Sequence, residues 1–190
     1  MNSNNLKKQK EQVLIYFKEK KFEKVIIEGE KILKDGQNDA QLFFVLGLAS
    51  INLQNFVNAE VYFEKLILFK KNAENLYTLG NIQKKLKKFS QAAVSFQEAI
   101  HLNPNFSEAY NNLGSTLKSL NLYEDAVINY KKSINSNKNN FEAHYNLASL
   151  YFLLENYTEA KVYYANIIDL ETRHEEICEK YTICLFKIGK

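Results

Sequence analysis

Proline is almost missing from this 190-residue chain: Pro104 is the single example, glycine occurs 6 times and tryptophan not at all. So few breakers leave room for long helices and little for a turn-rich β fold. Charge of one sign is also lacking, since 25 basic residues are interspersed with 22 acidic ones for a formal net charge of +3. That is well short of a polyanion-binding profile, and no nucleic-acid partner is expected. Long apolar runs are absent too. The most apolar stretch, Leu42 to Ile51, is about half a membrane span, and the N-terminal MNSNNLKKQKEQ has no apolar signal core. The only cysteines, Cys178 and Cys184, are six apart in one expected helix. Six residues make about 1.7 turns, which points them to nearly opposite faces where they cannot easily bridge. Free thiols in a reducing cytosol are expected, and with them a cytoplasmic protein with no membrane partner.

What is present is a repeat. The segments KFEKV, NFVNA, KFSQA, LYEDA and NYTEA each place an aromatic three residues before a small or β-branched residue. The aromatics are Phe22, Phe56, Phe89, Tyr123 and Tyr157, at spacings of 34, 33, 34 and 34, and their partners are Val25, Ala59, Ala92, Ala126 and Ala160. Four residues further on come Gly29, Phe63, Phe96, Tyr130 and Tyr164; ahead of them run Leu46-Gly47, Leu79-Gly80, Leu113-Gly114 and Leu147-Ala148. Registers that agree at a fixed period mark a tandem array.

Each unit carries two helical patterns. In the central one, Ala109, Tyr110, Leu113, Gly114 and Leu117 form one apolar stripe. A polar joint at Leu120-Asn121-Leu122 leads to a second stripe of Tyr123, Ala126, Val127 and Tyr130. Gly114 and Ala126 are expected to let two helix backbones approach, with aromatics filling the space around the contact. A glycine inside a helix costs roughly 1 kcal/mol against alanine, so its recurrence implies a packing reason. Asn-Pro-Asn at 103–105 reads as a break between units, with Asn105 a candidate N-cap.

These residues resemble the tetratricopeptide (TPR) repeat, whose 34-residue signature is W-x2-L-G-x2-Y…A-x3-F…P. Residues 73–106 match with Leu76, Leu79, Gly80, Ala92, Phe96 and Pro104, and carry Gln83 in place of the tyrosine. Residues 107–140 match with Tyr110, Leu113, Gly114, Ala126 and Tyr130, and have Lys138 in place of the proline; 40–72 and 141–174 are similar, and about 6–39 keeps only second-helix marks. The stretch 175–190 has first-helix spacing and reads as a capping helix or half-repeat. The resemblance implies one all-α domain over 1–190, a right-handed superhelical solenoid of helix-turn-helix repeats. Its first helices would line a concave groove that binds a protein or peptide partner.

If the core stripe of each first helix packs inward, the opposite stripe faces that groove. In the central unit it contains Glu108, Asn111, Asn112, Ser115 and Ser119. One repeat earlier it contains Glu74, Tyr77, Thr78, Asn81 and Lys85, and one later Glu142, Tyr145, Asn146, Ser149 and Leu153. An asparagine amide both donates and accepts, so it can hold a peptide backbone whatever its side chains. Asn112 and Asn146, 34 apart, resemble the asparagine ladder of O-linked N-acetylglucosamine transferase-like TPR superhelices, against a plain reading as solvated polar residues. Both lie off the core stripe, so replacing the pair by alanine is expected to spare stability. Phe44, Val45 and Leu48 are apolar for such a face: either they bind a partner, or the N-terminal helix with Val13 to Phe17 folds over them. Glu74, Glu108 and Glu142 sit in first turns, where the helix dipole explains a carboxylate.

The peptide-binding residues expected are therefore Phe44, Leu48, Tyr77, Asn81, Asn111, Asn112, Tyr145 and Asn146. The lysines at 84, 85, 87 and 88 bracket a joint, with solvated charge as the simplest account and a phosphate patch as the other. His174 and Cys178 make two ligands without a third, so no metal is expected. With no phosphate loop or nucleophile elbow, no cofactor and no catalysis are expected either. The function read from the residues and the resemblance is a non-catalytic interaction scaffold. Alternatives are the substrate-recruiting part of a larger transferase, and self-association through 175–190.

Overall fold

The computed structural model describes residues 3–36, 39–170 and 175–189. Among them lie eleven α-helices and no strand. They are α1 (Ser3–Lys18), α2 (Phe22–Lys34), α3 (Ala40–Asn52), α4 (Phe56–Phe69), α5 (Ala73–Lys85) and α6 (Phe89–Leu102) in one compact unit, Met1–Leu102. The second unit, Asn103–Lys190, holds α7 (Ser107–Ser119), α8 (Tyr123–Ser136), α9 (Phe141–Leu153), α10 (Tyr157–Leu170) and α11 (Glu175–Ile188). Within each unit every helix packs on the next in the chain, and first helices also meet, α1 with α3 and α7 with α9.

The expected close approach inside each hairpin is present. A Cβ built on Gly47 would stand 2.7 Å from the Phe63 ring, one on Gly80 2.7 Å from Phe96, and one on Gly114 2.8 Å from Tyr130. The ring fills the space that a side chain would take, and Phe63, Phe96 and Tyr130 have no exposed surface. The first hairpin inverts the arrangement. There α1 carries buried Val13 at the glycine register and α2 carries Gly29 at the aromatic register, and Leu46 reaches over Gly29. The space over Gly29 is thus filled from α3, and the layer stays closed.

The joints share one geometry that no residue type announces. Lys20, Gln54, Lys87, Asn121 and Glu155 all have φ between 57° and 60°. In every case the residue's N–H donates three residues back and the next N–H five back; Gln54 to Ile51 and Asn55 to Ser50 are one instance. This is the Schellman ending, which satisfies the last carbonyls of a helix by turning one residue left-handed. Of the helices that follow these joints, α4 is capped by Asn55 and α10 by Asn156; between hairpins Asp39, Asn72 and Asn140 cap α3, α5 and α9, each side chain accepting from an N–H three residues on. Burial pushes the Asp39 carboxyl up, but its bonds from Lys10 and the Leu42 N–H outweigh this and hold it below the usual carboxylate value.

Asn105 does not cap α7. Its N–H turns back to the Asn103 side chain, and the helix starts after Phe106 without a side-chain cap. Ser107 belongs instead to a buried polar knot with Ser133: Ser133 Oγ donates to the Ser107 carbonyl at 2.8 Å. The Asn140 amide donates to both hydroxyls, at 2.9 and 3.0 Å, while its oxygen caps α9. Asn140→Ala is expected to cost about 2 kcal/mol, about 1 for the cap and about 1 for the lost donor. Asn140→Asp, which keeps the cap, should lose about half as much in urea titrations.

Candidate binding faces of the first helices

In the first unit the expected face lies on α3 and α5. Phe44 is 41% exposed and rests edge-on against Phe63 with ring centres 6.3 Å apart. Tyr77 repeats this one unit on, half-buried and 5.9 Å from the Phe96 ring. Each face aromatic is thus braced by the ring that fills the hairpin behind it. Leu48 and Asn81 are half-buried on the same helices. Val45 leaves this face: it is buried and shares a small cleft with Val13 and Leu14 of α1. Within the apolar stripe α1 thus lies over Val45, while Phe44 stays exposed.

Two recesses flank these residues. One, of about 510 Å3, is walled by Phe44, Gln41, Leu66, Lys70 and Glu74. The other, of about 620 Å3, lies toward the helix C-termini and joints, with Asn81 and Thr78 on its wall. Thr78 is already bonded to the Glu74 carbonyl. Phe56 and Phe89 also line the second recess and are only half-buried, although their period had placed them simply with the core.

In the second unit the face lies on α7 and α9. Asn111 occupies the register of Phe44 and Tyr77 but is only 3% exposed. Its Oδ1 accepts from Asn146 at 2.9 Å and its Nδ2 donates to Glu142 at 3.3 Å. The amide bonded to Asn146 is therefore Asn111, one position out of register; Asn112, which shares the register of Asn146, is half-buried. Tyr145 donates to Glu176 at 3.0 Å and lies under Lys180, whose ammonium is 5.4 Å from the ring centre. Burial works against that charge, but the Glu176 carboxylate and the Tyr145 hydroxyl raise Lys180 above the ordinary lysine value.

Glu142 and Glu176 thus act as acceptors between successive first helices as well as lying in first turns. The signal was in the sequence, because the row at 74, 108 and 142 continues with the same period to 176. One expectation about stability changes. Asn146→Ala removes the donor from buried Asn111, so it is expected to cost about 1–3 kcal/mol and to lower the melting temperature. The pair of alanine changes is therefore expected to lower stability rather than to spare it.

Among the described residues no group of three His, Cys, Asp or Glu side chains is placed to hold a metal ion. His174 lies outside the described residues, and Cys178 is exposed while Cys184 is buried, as opposite helix faces require. Among the described residues no helix is long and apolar enough to cross a membrane.

Family profiles described as tetratricopeptide repeat match residues 73–106, 95–128 and 141–174, and one described as TPR repeat matches 114–155. Together they span more than half of the chain. The chain belongs to the tetratricopeptide repeat family. Similar solved structures include a MamA protein, with a TM-score of 0.81 at 22% identity over 93% of this chain and 94% of that one. MamA from Desulfovibrio magneticus RS-1 gives 0.82 at 16% over 92% and 99%. YrrB, described as a TPR protein with an unusual peptide-binding site, gives 0.79 at 21% over 90% and 88%. At these identities the likeness establishes the fold, the all-α TPR solenoid. No curated protein matches the chain by sequence.

Proposed function

We propose that this TPR protein is a non-catalytic scaffold that binds an extended partner segment along the first-helix face of its units. The observation that carries this is the braced, exposed Phe44 beside a recess of about 510 Å3. An aromatic held open beside a cavity is what a partner side chain needs to anchor, because its surface is lost only on binding. Tyr77 and Asn81 extend that face in the first unit. In the second, Asn112, Tyr145 and Asn146 offer amide and hydroxyl groups to a peptide backbone, with Asn111 setting the Asn146 amide from behind. Membership of a family of interaction scaffolds supports the same reading.

The test is panning of a displayed random-peptide library against the purified chain, followed by hydrogen-exchange mapping with the selected peptides. Protection of α3 and α5, or of α7 and α9, is expected, with Phe44→Ala weakening binders that map to the first unit by roughly tenfold. Peptides that protect only second helices would overturn the assignment.

A second reading is favoured by α11, where Leu185, Phe186 and Ile188 are exposed. Such a face can pair with a second copy. Light scattering behind size exclusion should then give a mass that rises with concentration and falls back with Phe186→Ser. A constant monomer mass would overturn it.

A further inference from the structure

The recess of about 620 Å3 at the joints of the first unit differs chemically from the rest of the first-helix face. Ile51, Phe56, Ile82 and Phe89 supply apolar walls, and Lys84, Lys85 and Lys87 stand around them with no carboxylate in the lining. Cavities of this size are typical of ligand sites. The fourth lysine of the cluster is otherwise engaged, since Lys88 Nζ lies 2.6 Å from Oε2 of buried Glu60. Among the described residues neither Lys85 nor Lys87 makes an ion pair, and both are exposed.

The turn does not demand these lysines. The same Schellman joint is built with Gln54, Asn121 or Glu155, as well as with Lys20, where this one has Lys87. At the register of Lys85 the other units carry Lys18, Asn52, Ser119 and Leu153, so three of the four do without a charge there. At this joint three cations stand around an apolar hollow, and the turn itself does not require them.

We infer that this recess binds an acidic partner segment with an aliphatic or aromatic anchor: the anchor enters between Phe56 and Phe89, and flanking carboxylates meet Lys85 and Lys87. Ammonium groups on flexible stems act as point charges, suited to scattered carboxylates rather than to forked recognition of one phosphate. An inorganic anion would leave the apolar walls uncovered, and a purely apolar peptide would leave the charges unmatched. The inference rests on the proposed partner-binding role and names the chemistry of that partner.

The experiment uses the full chain and C-terminally amidated fluorescent peptides, so that no terminal carboxylate contributes. One peptide has glutamates flanking a central phenylalanine; a second replaces the phenylalanine by serine, a third the glutamates by glutamine. Anisotropy titrations should show saturable binding of the first only, weakened at least tenfold by Lys85→Glu with Lys87→Glu and also by raised salt. Both positions are exposed, and circular dichroism would verify that the variant is folded. No saturable binding of the first peptide would overturn the inference, as would equal binding by the charge-reversed variant or by the glutamine peptide. Tighter binding of single-stranded oligo-dT, with the same lysine dependence, would overturn it in favour of nucleic acid. If library-selected peptides protect the first-helix face yet ignore the lysine changes, this inference fails and the broader role stands. If no peptide protects that face, both fail.

Discussion

Phe96→Ala is expected to cost about 3–5 kcal/mol, the range for emptying a fully packed aromatic site. Phe96 has no exposed surface, and its ring occupies the space over Gly80 in the last hairpin of the first unit. Neither helix can close the gap easily, because Gly80 has no side chain to grow into it. A loss of that size is a large part of the 5–15 kcal/mol that holds a typical domain together. Tyr77 would lose the ring it rests on, 5.9 Å away, so the binding face should suffer with the core. Urea titration should give a much lower midpoint, and Phe96→Leu a smaller fall. A loss under about 1 kcal/mol would mean that the ring-over-glycine layer is not what holds the hairpin. Gly80→Ala should cost less but still destabilise, because its Cβ would stand 2.7 Å from the buried Phe96 ring and overpacking of this kind costs about 1–3 kcal/mol before any gain in propensity. The hairpin of α9 and α10 already carries Ala148 at that register against buried Tyr164, and alanine gains roughly 1 kcal/mol of helix propensity over glycine.

Glycine at the joints should act in the opposite direction. A left-handed conformation costs an ordinary L-residue about 1–2 kcal/mol, while glycine adds about 0.4–1 kcal/mol of unfolded-state freedom to be lost on folding. The net gain is about 0.5–1 kcal/mol for each of Lys20→Gly, Gln54→Gly and Glu155→Gly. Their capping bonds belong to separate helices, so the triple variant should gain about 1.5–3 kcal/mol. Asn121→Gly should gain least, since asparagine tolerates this region best. Calorimetry would record a stepwise rise in melting temperature. A fall would mean that the side chains at these joints, rather than their backbone, hold the turn. Lys87 is left out because its ammonium borders the proposed peptide recess.

The packing code was legible because it is written in size and period. A glycine facing an aromatic at a spacing of 33 or 34 leaves one way to stack two helices. The reading of Gln83 as a departure from the motif also has a plain physical outcome: it is buried and accepts from Ser95 at 2.7 Å, so one polar pair occupies the place of a ring. The site was legible only in part. Asn111 and Asn112 are adjacent and chemically identical, and their spacing put both on the outer stripe. Their difference comes from α9, which brings Asn146 and Glu142 over one of them and not the other in the same way. Likewise Val45 and Phe44 are neighbours of similar character, and the fate of each depended on where α1 lies.

What the sequence by itself determined is the repeat, its hairpins and the residues that face their interiors, because burial of apolar surface follows a period that can be counted. What only the tertiary structure decided is which polar groups are consumed within the protein and which stay available. It also decided that five unlike residues share one left-handed turn, and that lysines from a single joint surround an apolar hollow. Those outcomes depend on contacts between helices far apart in the chain and on backbone closure, neither of which leaves a mark in the identity of any one residue.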